Sequence, residues 1–432
     1  TLQVFNKDDY PDYWALSQNN LGWACYNRLS GNYSDNIEQA IAFYKSGLEV
    51  CDFQNFKFVW VLLKINLGVA YLSRFSENIS QDIETAIQIL TEALELYVEE
   101  GFLGIDNQLK IKVNLGLAYY KRIKGKRSEN LEKSIEYYQL ASQDCSPKLF
   151  AYLWGTIQNN LGLAYIYRIQ GDVLENREQA IATLELALQV RTRQEFPKEW
   201  AATQQNIGLA YNNRVKGDQS ENLEMAIKAY KSALKVYCTQ GLTKEEAAVE
   251  YFLAGAYIDR MDGKICENIE QAISYCQKAL KVYNREAYPF DWATLQNNLG
   301  NAYRERIEGD EDENIEAAIL YYQAGLEIYN REEFPQDWAM LQNNLGNAYS
   351  DRTLENEDEN LATAILHYQA ALQVYTREDL PEDWAMAQHN LGLVYKYQGE
   401  TAKAIACFKS ALEIRTPTTF PNDCLNSGSQ LG

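Results

Sequence analysis

The sequence contains few of the residues on which much enzyme and membrane chemistry depends. Only two of its 432 residues are histidine, His367 and His389, so most histidine-dependent catalysis is excluded. The longest strongly apolar run, residues 58–63, is far shorter than the ~20 residues that cross a bilayer. Acidic residues outnumber basic ones by 60 to 40, and the net charge of −20 disfavours nucleic acid or an anionic membrane as the main partner.

An internal repeat dominates the chain. The segment Gln-Asn-Asn-Leu-Gly-x-Ala-Tyr recurs every 46 residues, with one interval of 48. Length alone would suggest about three domains, but one period over nine copies indicates a single repeat array. The central residue is small, which allows two helices to approach closely. This small residue is Gly22, Gly68, Gly116, Gly162, Gly208, Ala254, Gly300, Gly346 and Gly392.

Each copy predicts two amphipathic helices joined by a turn, and we refer to equivalent positions in different copies as one phase. In the second helix, Ala226, Ile227 and Tyr230 exemplify an apolar stripe at helical spacing. Glycine at the Gly31 phase is expected at C′ of the first helix, and asparagine at the Asn36 phase is expected to cap the second. Because neither helix can bury its stripe alone, we predict an all-α fold, an α-solenoid or superhelix of about nine helix-turn-helix repeats with a concave face.

The period also predicts the boundaries of the repeats. Residues 1–11 are expected to be the second helix and loop of a preceding repeat, because residues 1–14 match residues 371–384. Residues 422–432 are expected to begin a truncated tenth repeat, so we expect the sequence to be a fragment of a longer protein. The nine repeats between them are expected at approximately 12–57, 58–105, 106–151, 152–197, 198–243, 244–289, 290–335, 336–381 and 382–421.

The ninth copy resembles the tetratricopeptide repeat. It reads Leu-Gly-x-x-Tyr from Leu391 and continues with Ala404, Phe408 and Ala411 at the spacing of that family. The other eight copies resemble the same repeat with six residues added at the inter-helix turn. Seven of the nine copies have a Trp, which lies eight rather than four residues before the small residue. The resemblance implies an array of helical hairpins that binds a protein or peptide.

The amino-acid sequences of the copies resemble those of a narrower group of proteins. Trp-Ala-x-x-Gln-Asn-Asn-Leu-Gly-x-Ala-Tyr, Arg-Ile-x-Gly-Asp and Arg-Glu-x-Phe-Pro are similar to the tetratricopeptide regions of bacterial CHAT-domain signalling proteins. In many of those proteins a caspase-like peptidase follows the array. This resemblance implies a sensor or regulatory arm whose effector lies outside these 432 residues.

The tetratricopeptide resemblance implies that the first helices line the groove, with the residue two before the small residue facing a bound peptide. Asparagine occupies that position in eight copies, and a less regular asparagine lies one residue earlier. Asparagine in a helix interior is ~0.5 kcal/mol less favourable than alanine, so a compensating interaction is expected. Either the amides bind a partner's backbone or they bond to neighbouring helices, and the sequence favours neither. The candidate groove residues are Asn19, Asn20, Asn66, Asn114, Asn159, Asn160, Asn206, Tyr251, Phe252, Asn297, Asn298, Asn343, Asn344, His389 and Asn390.

Three other features have both a structural and a functional interpretation. Tyr251 and Phe252 interrupt the amide series, either through ordinary packing, which we favour, or as an aromatic anchor pocket. The basic cluster at 110–127 and the acidic turns at 308–314 and 355–360 are either solvated faces or poles that contact a partner or another copy. An arginine six residues after the small residue is expected to pair with an acidic side chain of the next turn rather than with an acidic partner. This arginine is Arg28, Arg74, Arg122, Arg168, Arg214, Arg260, Arg306 and Arg352.

The sequence carries no catalytic or metal-binding motif. It has no C-x-x-C pair, phosphate loop, HExxH or GxSxG. A Cys–His pair would need Cys407 or Cys424 beside His389, which instead occupies a groove position. Cys25 and Cys276 replace aromatic residues of the apolar stripes and are expected to be buried thiols, which suits a reducing cytosol.

These observations together predict a non-catalytic, cytoplasmic scaffold that binds a protein or peptide segment in its groove and is capable of self-association. No cofactor, metal, nucleic acid or membrane partner is expected. The alternative is a structural spacer or self-assembling scaffold without a dedicated ligand.

Overall fold

The computed structural model describes residues 6–28, 30–74, 76, 78–99 and 104–414, without the side chains of residues 97–99. The truncated repeat predicted at 422–432 and Cys424 lie outside the described residues, as do the first five residues of the segment predicted at 1–11.

The described residues form eighteen α-helices and contain no strand, which confirms the predicted all-α fold. In chain order the helices are α1 Pro11–Tyr26, α2 Tyr33–Leu48, α3 Lys57–Ser73, α4 Ile79–Glu99, α5 Ile105–Lys121, α6 Arg127–Asp144, α7 Ala151–Ile166, α8 Val173–Val190, α9 Pro197–Asn212, α10 Gln219–Gln240, α11 Thr243–Ile258, α12 Ile265–Ala279, α13 Pro289–Arg304, α14 Glu311–Leu326, α15 Pro335–Asp351, α16 Glu357–Ala371, α17 Pro381–Tyr397 and α18 Thr401–Leu412.

The chain divides into two compact units. Unit 1 comprises Thr1–Gln170 and Ala182–Val190, and unit 2 comprises Gly171–Ile181 and Arg191–Gly432. In unit 1, α1 packs on α2, α3 on α4 and α5 on α6, while α3 also contacts both α1 and α5. In unit 2, each odd-numbered helix from α9 to α17 packs on the helix that follows it, and each one from α9 to α15 also contacts the next odd-numbered helix. Each unit is therefore a stack of helical hairpins, which is the solenoid-type arrangement that the repeats predict.

The small residue lets the two helices of a hairpin come into close contact. A Cβ atom built on Gly208 would lie only 2.5 Å from Cε1 of Tyr230, a tyrosine that is buried in the core. Any side chain at this position would overlap the second helix, so the predicted need for a small residue is confirmed. The same close contact recurs at Gly22, Gly68, Gly116, Gly300, Gly346 and Gly392.

The glycine of the inter-helix turn lies within the loop and not at C′. Helix α1 ends at Tyr26, and Gly31 follows five residues later with a φ of 89°. The C′ expectation is wrong because the first helix ends a turn earlier than the apolar pattern suggests, and the loop itself needs the left-handed backbone that glycine adopts. The same conformation, with φ between 81° and 91°, occurs at Gly125, Gly171, Gly217, Gly263 and Gly309.

The asparagine of the Asn36 phase holds the turn from inside the second helix. The N-cap of α2 is Asn32, whose side chain accepts a hydrogen bond from the backbone N–H of Ser34 at 2.8 Å. Asn36 is buried within α2, and its Nδ2 donates to the carbonyls of Arg28 and Ser30 at 3.4 and 3.1 Å. The N-cap expectation is wrong because the two N–H groups of this amide satisfy carbonyls of the turn after the first helix ends. Asn130, Asn222, Asn268, Asn314 and Asn360 bond in the same way.

Candidate functional site

The asparagines of the first helices bond to one another between neighbouring repeats. Nδ2 of Asn66 donates to Oδ1 of Asn19 at 2.8 Å, and Nδ2 of Asn344 donates to Oδ1 of Asn297 at 2.7 Å. In each pair, which we call an amide rung, the asparagine two before the small residue donates to the one three before it in the preceding repeat. These are the bonds that the structural interpretation requires. A rung uses one of the two N–H groups of the donor amide and one of the two acceptor positions of the other.

The last repeats vary this pattern. Nδ2 of Asn390 donates to Oδ1 of Asn347 at 3.1 Å and lies 3.5 Å from Oδ1 of Asn343. Nδ2 of Asn298 donates to the backbone carbonyl of Tyr251 at 3.2 Å, because the sixth copy has no asparagine at the acceptor position. In both cases the asparagine two before the small residue donates its Nδ2 hydrogen bond to the preceding repeat, even where no side-chain amide is there to accept it.

The remaining predicted asparagines are not in the rungs described above. Nδ2 of Asn159 donates to Oδ1 of Asn160 in the same helix at 3.1 Å. Asn20 is exposed and Asn114 is half-buried, and neither side chain has a hydrogen-bond partner within the described residues. Asn206 is half-buried in α9. The predicted series is therefore a mixture of bonded and available amides and not one uniform ladder.

The two aromatic residues of the sixth copy pack against their neighbours. The ring of Phe252 stacks on that of Tyr230 in α10, with centroids 5.5 Å apart and an interplanar angle of 10°. Phe252 also contacts Tyr251, with centroids 4.9 Å apart. Both residues stay half-buried. Packing accounts for the aromatic pair, and the anchor pocket remains a prediction.

From the second copy to the eighth, the repeated arginine ties the first helix to the preceding repeat, in a group that we call the arginine bracket. Nε and Nη2 of Arg122 donate to Oε1 and Oε2 of Glu84 at 2.7 and 2.9 Å, and Nη1 donates to Oδ1 of Asn130 at 3.4 Å. These bonds from Arg122 lower the pKa of Glu84. The expected ion pair is confirmed, but its expected location is wrong, because the carboxylate belongs to the second helix of the preceding repeat. The other brackets are Arg74–Glu38, Arg168–Glu132, Arg214–Glu178, Arg260–Glu224, Arg306–Glu270 and Arg352–Glu316.

Much of the basic cluster of unit 1 is occupied by internal bonds. Lys112 pairs with Asp144 at 2.6 Å and Lys110 pairs with Asp106 at 3.2 Å. Nζ of Lys121 donates to a backbone carbonyl of α3 at 3.1 Å. These contacts leave less free positive charge for an acidic partner than the sequence suggests.

A cavity of about 480 Å³ opens on the surface that the first helices present in unit 2. We call this surface the first-helix face, and it carries the positions two and three before the small residue and one, four and five after it. The cavity lies against α13, α15 and α17, and the predicted groove residues His389 and Asn390 line it. The other lining residues are Arg304, Asn347, Ser350, Asp351, Tyr368, Met386, Leu393 and Tyr397.

Sequence reasoning missed several polar residues of this cavity, Arg304, Asn347, Ser350 and Asp351. The repeat offered one signal, because the seventh and eighth copies have asparagine directly after the small residue where most others have an apolar residue. Oδ1 of Asn347 accepts hydrogen bonds from Tyr368 Oη at 2.7 Å and from Asn390 Nδ2 at 3.1 Å. A copy-specific departure from the repeat therefore marks the cavity.

The charged groups of the cavity are close to one another but incompletely hydrogen-bonded. Nη2 of Arg304 donates to Oε1 of Glu305 at 2.5 Å, while its Nε lies 3.9 Å from Oδ2 of Asp351, beyond hydrogen-bond range. Burial raises the pKa of Asp351; the charge of Arg304 opposes this shift and that of Glu305 adds to it. Burial likewise raises the pKa of Asp259, at the same phase in the sixth copy, to about 6. A hydrogen-bond donor from a ligand would stabilise the charged form of either carboxylate.

Both histidines contact neighbouring side chains. Nδ1 of His367 lies 2.6 Å from Oε1 of Gln342, and burial lowers the pKa of His367. The ring of His389 lies 5.5 Å from that of Phe408. These contacts are those of packed side chains, and neither involves a cysteine.

The cysteines have the properties of structural thiols. The predicted burial of Cys25 and Cys276 is confirmed. Burial raises the pKa of Cys407 and raises that of Cys276 to about 12, whereas an activated nucleophile has a lowered pKa. In the part of the chain that the structure describes, no cluster of three metal-ligating side chains is present, and no helix is long and apolar enough to span a membrane. The free cysteines are Cys25, Cys51, Cys145, Cys238, Cys266, Cys276 and Cys407.

Two repeat families match the chain. The tetratricopeptide repeat model matches residues 339–416. The Sel1 repeat model matches residues 15–49, 64–97, 113–144, 158–187, 247–281 and 293–327. Both are families of helical repeats that typically act as protein-interaction scaffolds without catalysis. No curated protein matches the chain.

Solved structures with a similar fold come from distant proteins. The apo form of RapI is 13% identical, with a TM-score of 0.55, and the match covers 94% of this chain and 98% of that one. A Rap protein complexed with Competence and Sporulation Factor is 11% identical, with a TM-score of 0.58 and coverage of 97% and 100%. A STAND protein with a tetratricopeptide repeat sensor from Pyrococcus horikoshii is 15% identical, with a TM-score of 0.47 and coverage of 94% and 55%. At these identities the similarity to the two Rap structures shows the fold alone.

Proposed function

We propose that this array of Sel1 and tetratricopeptide repeats is a non-catalytic scaffold that binds an extended peptide segment of a partner on its first-helix face. The observation that carries the proposal is the cavity of about 480 Å³ against α13, α15 and α17, lined by Asn347 and Asn390. Nδ2 of Asn347 and Oδ1 of Asn390 have no hydrogen-bond partner within the described residues. One side of the cavity thus offers both a donor and an acceptor.

These available groups suit a peptide backbone. Each residue of an extended chain other than proline presents one N–H and one C=O that need partners when they leave water. An amide side chain can bond to both, and a rung leaves each of its amides with unused capacity. The Rap protein of similar fold has been solved in complex with Competence and Sporulation Factor, which is consistent with ligand binding by an array of this kind.

The test uses substitutions that fill the first-helix face with a larger side chain. Gly255 lies directly after the small residue in α11, at the same phase as Asn347, and a Cβ atom built there would meet no atom within 4 Å. Gly255→Trp should block a peptide that lies along this face, and Leu393→Trp should fill the cavity itself. Leu320→Trp is the matched control, because Leu320 is 65% exposed on a second helix, α14.

The full chain is presented to a phage-displayed library of random nonapeptides, and the captured peptides are sequenced. The wild type and Leu320→Trp should enrich a common set of peptides, and at least one of the two blocking variants should lose it while keeping the helicity of the wild type. No enrichment by the wild type, or equal capture by all three variants, would contradict binding on this face.

The finer role is also a proposal: the array serves as the regulatory arm of a larger bacterial signalling protein whose caspase-like CHAT effector lies outside this sequence. The resemblance of the repeat sequences to the arrays of CHAT-domain proteins supports it. The buried free thiols support a reducing compartment such as the cytoplasm. Sequencing the parent gene beyond residue 432 tests the role directly, because a gene without a peptidase-like domain would exclude it.

A spacer without a dedicated ligand is the alternative function. It is favoured by the rungs, because Asn344 and Asn297 bond to each other within the array. Self-assembly would suit Leu320 and Leu366, which are 65% and 66% exposed at the same phase of α14 and α16. Light scattering over a range of concentrations distinguishes the two functions, because a self-assembling spacer gains mass with concentration and captures no peptide.

A further inference from the structure

We propose that the cavity against α13, α15 and α17 binds a carboxamide, the side chain of a glutamine or asparagine in the partner peptide. This inference rests on the proposed function and names the side chain that anchors the peptide. It follows from the donors and acceptors that the cavity leaves unused, from its charges and from its apolar wall.

The first unused pair is a guanidinium N–H and a carboxylate. Nε of Arg304 is buried and, among the described residues, has no hydrogen-bond partner. Oδ2 of Asp351 lies 3.9 Å from this Nε. A ligand group that accepts a hydrogen bond from Nε and donates one to Asp351 would bridge this gap.

The second unused pair is formed by two amides. Oδ1 of Asn347 already accepts from Tyr368 and Asn390, whereas its Nδ2 donates to no described residue. Oδ1 of Asn390 is similarly without a donor in the described part of the chain. The cavity therefore presents donors and acceptors together and selects for a ligand group that carries both.

The charges of the cavity disfavour an ionised ligand. An acidic side chain would come close to the carboxylate of Asp351, and a basic one would come close to the guanidinium of Arg304. A carboxamide is neutral, and it has one carbonyl acceptor and two N–H donors on adjacent atoms. It can bond to Arg304 and Asp351 at the same time without placing like charges together.

The remaining wall suits the aliphatic stem of such a side chain. Met386 and Leu393 line the cavity together with the rings of Tyr368 and Tyr397. A stem of one or two methylene groups packs against this apolar wall while the amide reaches the polar end. A ligand pocket with an apolar wall and a few polar groups that fix orientation is typical of specific binding sites.

The test changes the charge of the cavity one group at a time in the full chain. Asp351→Asn removes the anion, and Arg304→Gln removes the cation. The matched control is Asp259→Asn, at the same phase as Asp351 but in a different cavity, beside Arg214 and Asn222. Wild type and variants are presented to the random nonapeptide library, and the residue frequencies at each aligned position of the captured peptides are compared.

The wild type and Asp259→Asn should show one anchor position where glutamine or asparagine exceeds glutamate and lysine by about 10-fold. A charged analogue would leave either the buried Nε of Arg304 or the carboxylate of Asp351 without a hydrogen-bond partner. Asp351→Asn should shift that position towards glutamate and aspartate, and Arg304→Gln should shift it towards lysine and arginine. Asp351 is exposed, so Asp351→Asn should fold even if Arg304→Gln does not.

Captured peptides without a carboxamide anchor, or an anchor that neither substitution shifts, would overturn this inference and leave peptide binding intact. A wild type that captures no peptide would contradict the proposed function, and this inference with it. The two failures are therefore distinguishable in one experiment.

Discussion

The same substitution, glycine to alanine, should have opposite effects at two positions of neighbouring first helices. Gly208 in α9 faces Tyr230 of its own hairpin, whereas Gly255 in α11 faces open space. Gly208→Ala should destabilise the hairpin of α9 and α10. Gly255→Ala should stabilise the chain, because alanine is the better helix former and has room there.

The magnitudes follow from the contacts. A Cβ atom on Gly208 would lie 2.5, 2.6 and 2.9 Å from Cε1, Cδ1 and Cζ of Tyr230, where carbon atoms ordinarily stay about 3.5–4.0 Å apart. The ring is 1% exposed and stacked on Phe252, so it has little room to move. Overpacking a core typically costs about 1–3 kcal/mol, and the upper end applies here because the ring cannot move away. Alanine regains about 1 kcal/mol through its better helix propensity. The free energy of unfolding should therefore fall by about 1–2 kcal/mol. Gly255→Ala should gain about 0.5–1 kcal/mol.

Urea unfolding followed by circular dichroism compares the midpoints of the two variants with that of the wild type. Because repeat arrays can unfold in parts, hydrogen exchange read by mass spectrometry on peptides of α9 and α10 locates the loss. If Gly208→Ala proved as stable as Gly255→Ala, the reasoning that the tyrosine ring occupies the place of a side chain would be refuted.

Three further changes test the contacts between and within repeats. Arg122→Met should lower the free energy of unfolding in urea by about 1–2 kcal/mol, because Glu84 loses a bidentate partner. A double-mutant cycle with Glu84→Gln that showed no coupling energy would contradict the bracket. Asn344→Ala should destabilise by about 1 kcal/mol in the same assay because Asn297 loses its donor; a gain of ~0.5 kcal/mol, as helix propensity alone predicts, would rule out a stabilising rung. Burial raises the pKa of Glu250 to about 7, so the folded state holds the proton more tightly than the unfolded state, and stability falls as pH rises from ~4.3 towards 7. Glu250→Gln should therefore increase the free energy of unfolding at pH 8 by about 1–3 kcal/mol, seen as a higher melting temperature, and should have little effect at pH 4. An equal effect at both pH values would contradict the raised pKa.

The fold could be predicted from the sequence because each hairpin repeats the same packing problem. A small residue at the Gly208 phase and a large one at the Tyr230 phase recur together, and only close helix packing requires both. The N-cap of the second helix was harder to predict, because asparagine suits both a cap and a bond to the preceding turn. Asn36 forms the second kind of contact, and nothing in the local pattern distinguishes the two.

The contacts between repeats were only partly predictable. The arginine of each bracket is obvious as a repeated residue, and so is its carboxylate, since Glu270 follows Asn268 by two residues in a motif that recurs along the chain. Connecting them requires knowing that the second helix of one repeat lies beside the end of the next first helix. This contact between helices arises when repeats stack, and it cannot be inferred from the sequence of one repeat alone.

The cavity could not be predicted from the period because it depends on departures from the period. Arg304 occurs at a phase where the next copy has Ser350, so a repeat-wide search finds no shared residue there. Asp351 matters because it lies 3.9 Å from Arg304 of the preceding repeat. Residues that depart from the repeat in one or a few copies are hidden from a pattern search, and they are also the ones that can make one part of the array specific.

Photo-crosslinking tests the central claim, peptide binding on the first-helix face, most directly. A photoreactive phenylalanine analogue replaces Tyr397, a 73% exposed residue that lines the cavity on that face, or Leu320 on a second helix, and each full chain is irradiated with a biotinylated peptide recovered from the library. The account predicts a crosslinked product at position 397 and none at 320. Labelling at 320 without labelling at 397 would contradict it.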